Sequence, residues 1–151
     1  MTKDVLVSII GVQTEIAKEK DVDLQTTEPM EVVTPASYYL KNNKHYIIYD
    51  EPVEGLSTVI KNKIKITDNK IIEIIKSGVS NSHMIFEKSK KNISYYQTPY
   101  GEMKLEVDTD ELDIKESEDV ILISIGYQLD VNDEPLSKCH ITMRISSKKN
   151  Q

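Results

Sequence analysis

Tryptophan is absent from this chain, and cysteine, phenylalanine and arginine occur once each, as Cys139, Phe86 and Arg144. A single cysteine excludes an intrachain disulfide, and its place in an apolar stretch fits an inert buried thiol. No apolar run approaches the roughly 20 residues of a membrane helix. The N-terminus lacks the charged region and long apolar run of a signal peptide. These two absences make the cytoplasm the expected compartment and leave no membrane partner. Asn92-Ile-Ser94 spells a glycosylation sequon, which carries no meaning without secretion. There is no internal repeat and no low-complexity stretch. A length of 151 residues is that of one domain, so residues 1–151 are expected to form a single domain.

Positive charge is also scarce. Lys and Arg total 19 against 25 Asp and Glu, a net charge of −6. A nucleic-acid binder carries a basic stripe to neutralise phosphates, and here the basic clusters are only Lys88-Ser-Lys-Lys91 and Lys148-Lys149. No nucleic-acid partner is expected. Nucleophile elbows, phosphate loops and dinucleotide fingerprints are missing, so no cofactor is expected and catalysis has no positive support. His45, His83 and His140 share no metal-ligand spacing. Asp108-Thr-Asp110-Glu-Leu-Asp113 resembles a cation loop. A calcium loop needs Gly at position six and Glu at twelve, where this chain has Asp113 and Asp119. A solvated turn is the expectation there.

What the sequence does contain is period-two alternation, the mark of β-strands with one wet face. Strands are expected over Asp4 to Thr14, Glu31 to Lys41, Lys44 to Glu51, Ser57 to Ile66, Ile71 to Ser77, Ser80 to Lys88, Ile93 to Thr98, Glu102 to Thr109, Val120 to Val131 and Leu136 to Ser147. Glu15 to Asp23 reads as a helical turn or an extended linker. Asn42-Asn43 suits a two-residue hairpin turn and puts Tyr38, Leu40, His45, Ile47 and Tyr49 on one face. A three-residue turn at Asp68 to Lys70 sets Ile66 against Ile72 and Ile64 against Ile74, which carries Asn62 and Lys76 onto the same apolar face. An odd loop, Asp133-Glu-Pro135, pairs Leu129 with Cys139, Tyr127 with Ile141, Ile125 with Met143 and Ile123 with Ile145. Pro99-Tyr-Gly101 breaks the ladder. Nine or ten strands in hairpin order, with no helix to cover an open sheet, predict an all-β closed antiparallel barrel, because closure removes the edges. A sandwich is the alternative.

Several phrases carry a resemblance. Lys61 to Ile64 after Gly55, Ile74-Ile-Lys-Ser-Gly78, His83-Met-Ile-Phe-Glu87, Tyr96-Gln-Thr-Pro-Tyr-Gly101 and Gly126-Tyr-Gln-Leu129, in this order, resemble the YwiB-like family of small bacterial proteins of unknown function. The resemblance implies a calycin-like, up-and-down barrel related to lipocalins, and it transfers no catalytic residue. Two departures stand out. Lys76 replaces an expected arginine before Ser-Gly, which keeps the charge and loses the planar fork. Thr34-Pro-Ala36 replaces an expected glycine.

The candidate ligand-binding residues are Lys76, Asn62, Tyr96, Thr98, Tyr127, Tyr38 and Tyr49. A lysine on an apolar face reaches solvent, pairs with an anion or loses its proton. With Asn62 it makes a polar patch in an apolar cavity, which is how small-ligand sites look. The tyrosines offer apolar bodies with polar tips, or simply fill the barrel. Thr98 opens the Pro-Tyr-Gly turn. The expected partner is a small hydrophobic or amphipathic molecule held by a non-enzymatic barrel, or a partner at its mouth. The rivals are a filled barrel with a structural or interaction role, and an enzyme with an unrecognised site.

Overall fold

A computed structural model describes residues 1–16, 29–79, 81–98 and 100–148. The chain runs as ten strands: β1 (Asp4–Glu15), β2 (Met30–Lys41), β3 (Lys44–Pro52), β4 (Val59–Thr67), β5 (Ile71–Ser77), β6 (Ser82–Glu87), β7 (Lys90–Thr98), β8 (Gly101–Glu116), β9 (Val120–Val131) and β10 (Glu134–Ser147). They form one antiparallel sheet in the order β6-β5-β4-β3-β2-β1-β10-β9-β8-β7. The sheet curls into a nearly closed barrel, which confirms the all-β barrel expectation. Most of the proposed Glu15 to Asp23 linker lies outside the described residues.

Turn chemistry sets the first registers as expected. Asn42 and Asn43 take φ of 54° and 62°, the left-handed values a two-residue hairpin turn needs, and Tyr38 pairs with Ile47. Asp68 and Asn69 do the same, and Lys70 N–H donates to the Thr67 carbonyl at 3.0 Å. Ile66 therefore faces Ile72, Ile64 faces Ile74 and Asn62 faces Lys76.

The β9–β10 register differs from expectation by two residues. Asn132 and Asp133 make a two-residue turn with positive φ at both, and a bulge between Pro135 and Ser137 absorbs the odd residue. Tyr127 pairs with Cys139, Ile125 with Ile141 and Ile123 with Met143. A shift of two preserves the faces, so the expected inward set still points inward. The β7–β8 ladder ends where expected, with Thr98 paired to Gly101; Pro99 lies outside the described residues. One further correction concerns β8. The expected solvated turn at Asp108–Asp113 is strand, because a bulge between Thr109 and Glu111 resets the alternation and brings Leu112 and Ile114 against the core. Opposite that bulge, a Cβ on Gly126 would stand 3.1 Å from both Asp110 Oδ1 and Glu111 Cβ.

Closure is incomplete in two places. Among the described residues no ladder joins β6 to β7. Ser89, at the turn between them, sends its N–H to the Thr109 carbonyl of β8 at 2.7 Å, so the turn does not start a β6–β7 ladder. The second gap is between β2 and β3, whose pairing stops at Ser37 and Ile48. Tyr38 N–H points to β1, donating to the Lys3 carbonyl at 2.7 Å. Alternation then aims the nitrogen of Pro35 at β3, where it has no hydrogen to give. A cleft of about 500 Å³ opens there, lined by Thr34, Pro35, Ala36, Ile48, Tyr49 and Lys61 among others.

The core fills the middle and lower barrel, the lower end being that of the 42–43, 68–70 and 88–89 turns. Val5, Val7, Ile47, Ile64, Ile66, Ile72, Phe86, Ile125 and Ile145 have no accessible surface. No water-sized void therefore touches them.

Candidate functional site

Near the upper end, β3, β4 and β5 bring a polar group onto the inner face. Register aligns Tyr49 with Asn62 and Asn62 with Lys76. Glu51, two residues beyond Tyr49, shares that face. Lys76 Nζ lies 3.3 Å from Glu51 Oε1, with both side chains about two-fifths exposed. Asn62 Nδ2 donates to the same carboxylate oxygen at 3.3 Å and to the Ile60 carbonyl at 3.4 Å. These acceptors fix the amide orientation, since a flipped Asn62 would set oxygen against oxygen. Asn62 is fully buried, and its Oδ1 accepts no hydrogen bond from the described residues. Burial, reinforced by the Glu51 charge, pushes the Tyr49 phenol up to about 12.

Tyr127 sits on the opposite part of the wall. Its ring meets Phe86 edge-on at 4.9 Å. Burial first, then the neighbouring Cys139 thiol, holds its phenol well above the usual tyrosine range. A mainly apolar cavity of about 240 Å³ lies over it, lined by Ile9, Gly11, Met30, Val32, Cys139 and Ile141 among others. That volume is just below the small end of ligand pockets, roughly 300–1,000 Å³. Tyr96 is half-buried on the inner face of β7, aligned with Met103. Thr98 pairs with Gly101 through its backbone.

Tyr38 does not join the others. It lies toward the lower end, where its hydroxyl is 2.6 Å from His45 Nδ1. His45 Nε2 lies 3.4 Å from Glu116 Oε2. With Nε2 protonated toward the carboxylate, Nδ1 accepts from the hydroxyl. Burial and then Glu116 raise the Tyr38 phenol. This chain of contacts satisfies polar groups beneath the core.

Sequence reasoning missed Glu51, although its parity with His45, Ile47 and Tyr49 was the available signal. It also missed Asn92 and Ser94, which share parity with Tyr96, and Thr109, which shares it with Val107.

The outer face holds one arrangement that imitates a nucleophile. Ser124 Oγ lies 3.0 Å from His140 Nε2 and donates to Glu111 Oε1 at 3.0 Å. Because the hydroxyl gives its one proton to the carboxylate, Nε2 must act as donor toward it. A nucleophilic serine needs the reverse, a ring nitrogen that accepts. Among the described residues no three His, Cys, Asp or Glu side chains converge to hold a metal ion.

Comparison with known proteins agrees with this geometry. A family model described as a domain of unknown function, DUF1934, matches residues 10–143. The uncharacterized β-barrel protein YwiB of Bacillus subtilis is 29% identical over 107 residues, which cover 71% of this chain and 73% of that one. The crystal structure of the ywiB protein from Bacillus subtilis superimposes with a TM-score of 0.73 at 21% identity, covering 99% of this chain and 96% of that one. At that identity the likeness speaks for the fold.

Proposed function

This chain belongs to the family of the domain of unknown function DUF1934, and on that premise we propose that it is a non-enzymatic barrel that binds a small, partly apolar molecule at its upper end. The observation that carries the reading is the part-exposed Lys76–Glu51 pair resting on fully buried Asn62, whose Oδ1 has no hydrogen-bond partner among the described residues. A polar anchor of this kind, with an apolar cavity over Tyr127 at the same end, is the composition of small-ligand sites. Tyr49 stands beside the anchor, and the calycin-like resemblance fits a ligand held within the barrel opening. The free thiol of Cys139 suits a reducing compartment such as the cytoplasm.

A second reading, an interaction barrel without ligand, is favoured by the solid core and by apolar side chains on the outer surface. Native mass spectrometry of full-length protein purified without denaturant separates the two. We expect a bound small molecule on the wild type and its loss from Lys76→Met. Stability of that variant should change by no more than about 1 kcal/mol, because a part-exposed ion pair contributes little. A ligand-free wild type would support the interaction barrel.

A further inference from the structure

The barrel wall is open between β2 and β3, and backbone polar groups face the opening. The ladder ends at Ser37 and Ile48. One step further, the Asp50 N–H would donate to the Pro35 carbonyl and align Ala36 with Tyr49. That step is not taken, so the Asp50 N–H and carbonyl have no backbone partner among the described residues. The Pro35 carbonyl accepts from its neighbour, the Thr34 hydroxyl, at 3.1 Å. On its far edge β3 stays paired with β4 as far as Pro52 and Val59. On its far edge β2 stays paired with β1 as far as Met30 and Gly11. Both strands therefore continue past the split with one edge satisfied and the other bare. A bare edge is a template for another strand.

The cleft of about 500 Å³ between them falls within the range of ligand sites, roughly 300–1,000 Å³. Asp50 itself lines it, so an occupant reaches that bare edge. The cleft is lined from both faces of the wall. On the outer face the register row runs Leu6, Pro35, the gap, Asp50 and then Lys61. Asp50 stands at the gap, and Lys61 lies one strand beyond it. Asp4, aligned with Ser37, adds a second carboxylate to the lining. On the inner face Ala36 and Tyr49 bound the gap.

We propose that the β2–β3 split is a docking site for an extended basic peptide segment, which enters as an added strand antiparallel to β3. Main-chain bonds hold such a peptide, and alternate side chains select it. The residue opposite Asp50 exchanges N–H and carbonyl bonds with it, and the N–H two residues earlier reaches the Pro52 carbonyl on the same edge. Residues paired in this way carry their side chains on the same face. Those opposite Asp50 and Pro52 therefore point outward, and the Asp50 carboxylate directly across favours a cation there. The residues between them turn inward against Ala36 and Tyr49 and are apolar. This site is separate from the Lys76–Glu51 anchor, and the inference does not rest on the small-molecule reading.

The test is a titration of ¹⁵N-labelled full-length protein with the peptide acetyl-Lys-Val-Lys-Val-Lys-amide, following amide shifts and hydrogen exchange. We expect shifts at Thr34 to Ser37 and Ile48 to Asp50, and exchange of the Asp50 N–H slowed about tenfold or more at saturation, because a solvated donor becomes a ladder donor. The same peptide N-methylated at its lysine amides loses the donors that face β3 and should not bind. Acetyl-Glu-Val-Glu-Val-Glu-amide should bind several-fold more weakly than the basic peptide. Asp50→Asn, at an exposed position, keeps the backbone donor and should weaken the basic peptide several-fold. Lys76→Met should leave peptide binding unchanged. Undiminished binding of the N-methylated peptide overturns strand addition. Equal or tighter binding of the acidic peptide, or an Asp50→Asn variant that binds as well as the wild type, overturns the basic partner. Shifts confined to residues outside the split, loss of peptide binding in Lys76→Met, or no binding of the basic peptide also overturn the proposal, and none of these results bears on whether a small molecule occupies the upper end.

Discussion

Strands β9 and β7 flank β8 on its two edges, and their side chains are arranged in opposite ways. β9 points Ile121, Ile123 and Ile125 inward with almost no exposure and pairs with both β8 and β10. β7 points Asn92, Ser94 and Tyr96 inward, leaves Ile93 and Tyr95 in solvent, and among the described residues pairs with β8 alone. Burying an isoleucine contributes roughly 1.5–3 kcal/mol. Leaving a buried amide or hydroxyl unsatisfied costs roughly 1–3 kcal/mol. Stability is thus gathered on the β9 side, and β7 forgoes it. The two neighbours of β8 differ in which of their faces, apolar or polar, they turn to the core.

The largest expected effect tests the β9 side of that contrast. Ile125→Ala removes a side chain with no accessible surface and should lower stability by about 2–5 kcal/mol through lost burial and a cavity. Urea denaturation measures it directly. Ser94→Ala, at a β7 position facing Leu105 across the same β8, should change stability by less than about 1 kcal/mol. Equal losses at the two positions would break the comparison.

How much of this was legible in the sequence follows from the same contrast. Where inward residues are aliphatic, alternation alone identifies the face, and the β3, β4, β5, β9 and β10 inner sets were readable. The β9–β10 partners were not, because a two-residue turn at Asn132–Asp133 plus a bulge after Pro135 keeps the parity of a three-residue loop while moving the pairing by two. The bulge at Asp110 also hides in the residue count, but it switches the inward residues of β8 from odd to even numbers. Four of the six residues from Asp108 to Asp113 are acidic and read as a turn, while Leu112, with Ile114 just beyond, was the strand signal. At the site, Asn62 and Lys76 emerged from the turn count at Asp68–Lys70. Glu51 did not, because it lies past the last apolar residue of its strand. The polarity of β7 was invisible for a different reason. Parity gives two faces but not their destination, and Ile93 with Tyr95 is the apolar choice that the fold rejects.

Ionisation gives a smaller and more specific test of the two sectors. Tyr49 on the polar side and Tyr127 on the β9 side both resist deprotonation, chiefly through burial, but the second cause differs: Glu51 for Tyr49, Cys139 for Tyr127. The unfolded chain loses a phenol proton near pH 10, whereas native Tyr49 keeps it to about 12. Between those values the unfolded state binds fewer protons, so stability falls as pH rises. The Tyr49 contribution is fully present below about pH 10. Tyr49→Phe should make the decline over that window shallower in denaturation curves taken at successive pH values. Glu51→Gln should bring the Tyr49 transition down in phenolate absorbance while leaving it above that of a free tyrosine, and should not move Tyr127. A shift of both tyrosines together would show that the two sectors are not electrically separate.

The smallest expected effect is the most discriminating for β7. Ile93→Thr and Tyr95→Thr replace large exposed side chains by one with good strand propensity. With both residues on the outer surface, each variant should stay within about 0.5 kcal/mol of the wild type. A slip of one residue in the β7–β8 register would exchange its faces, turning Ile93 and Tyr95 into the barrel and Asn92, Ser94 and Tyr96 out to water. In that arrangement both variants would lose core burial, and each would cost more than about 1 kcal/mol. The polar inner wall would then not exist. Near-neutral substitutions at Ile93 and Tyr95, set against a costly one at Ile125, therefore establish the inversion of β7.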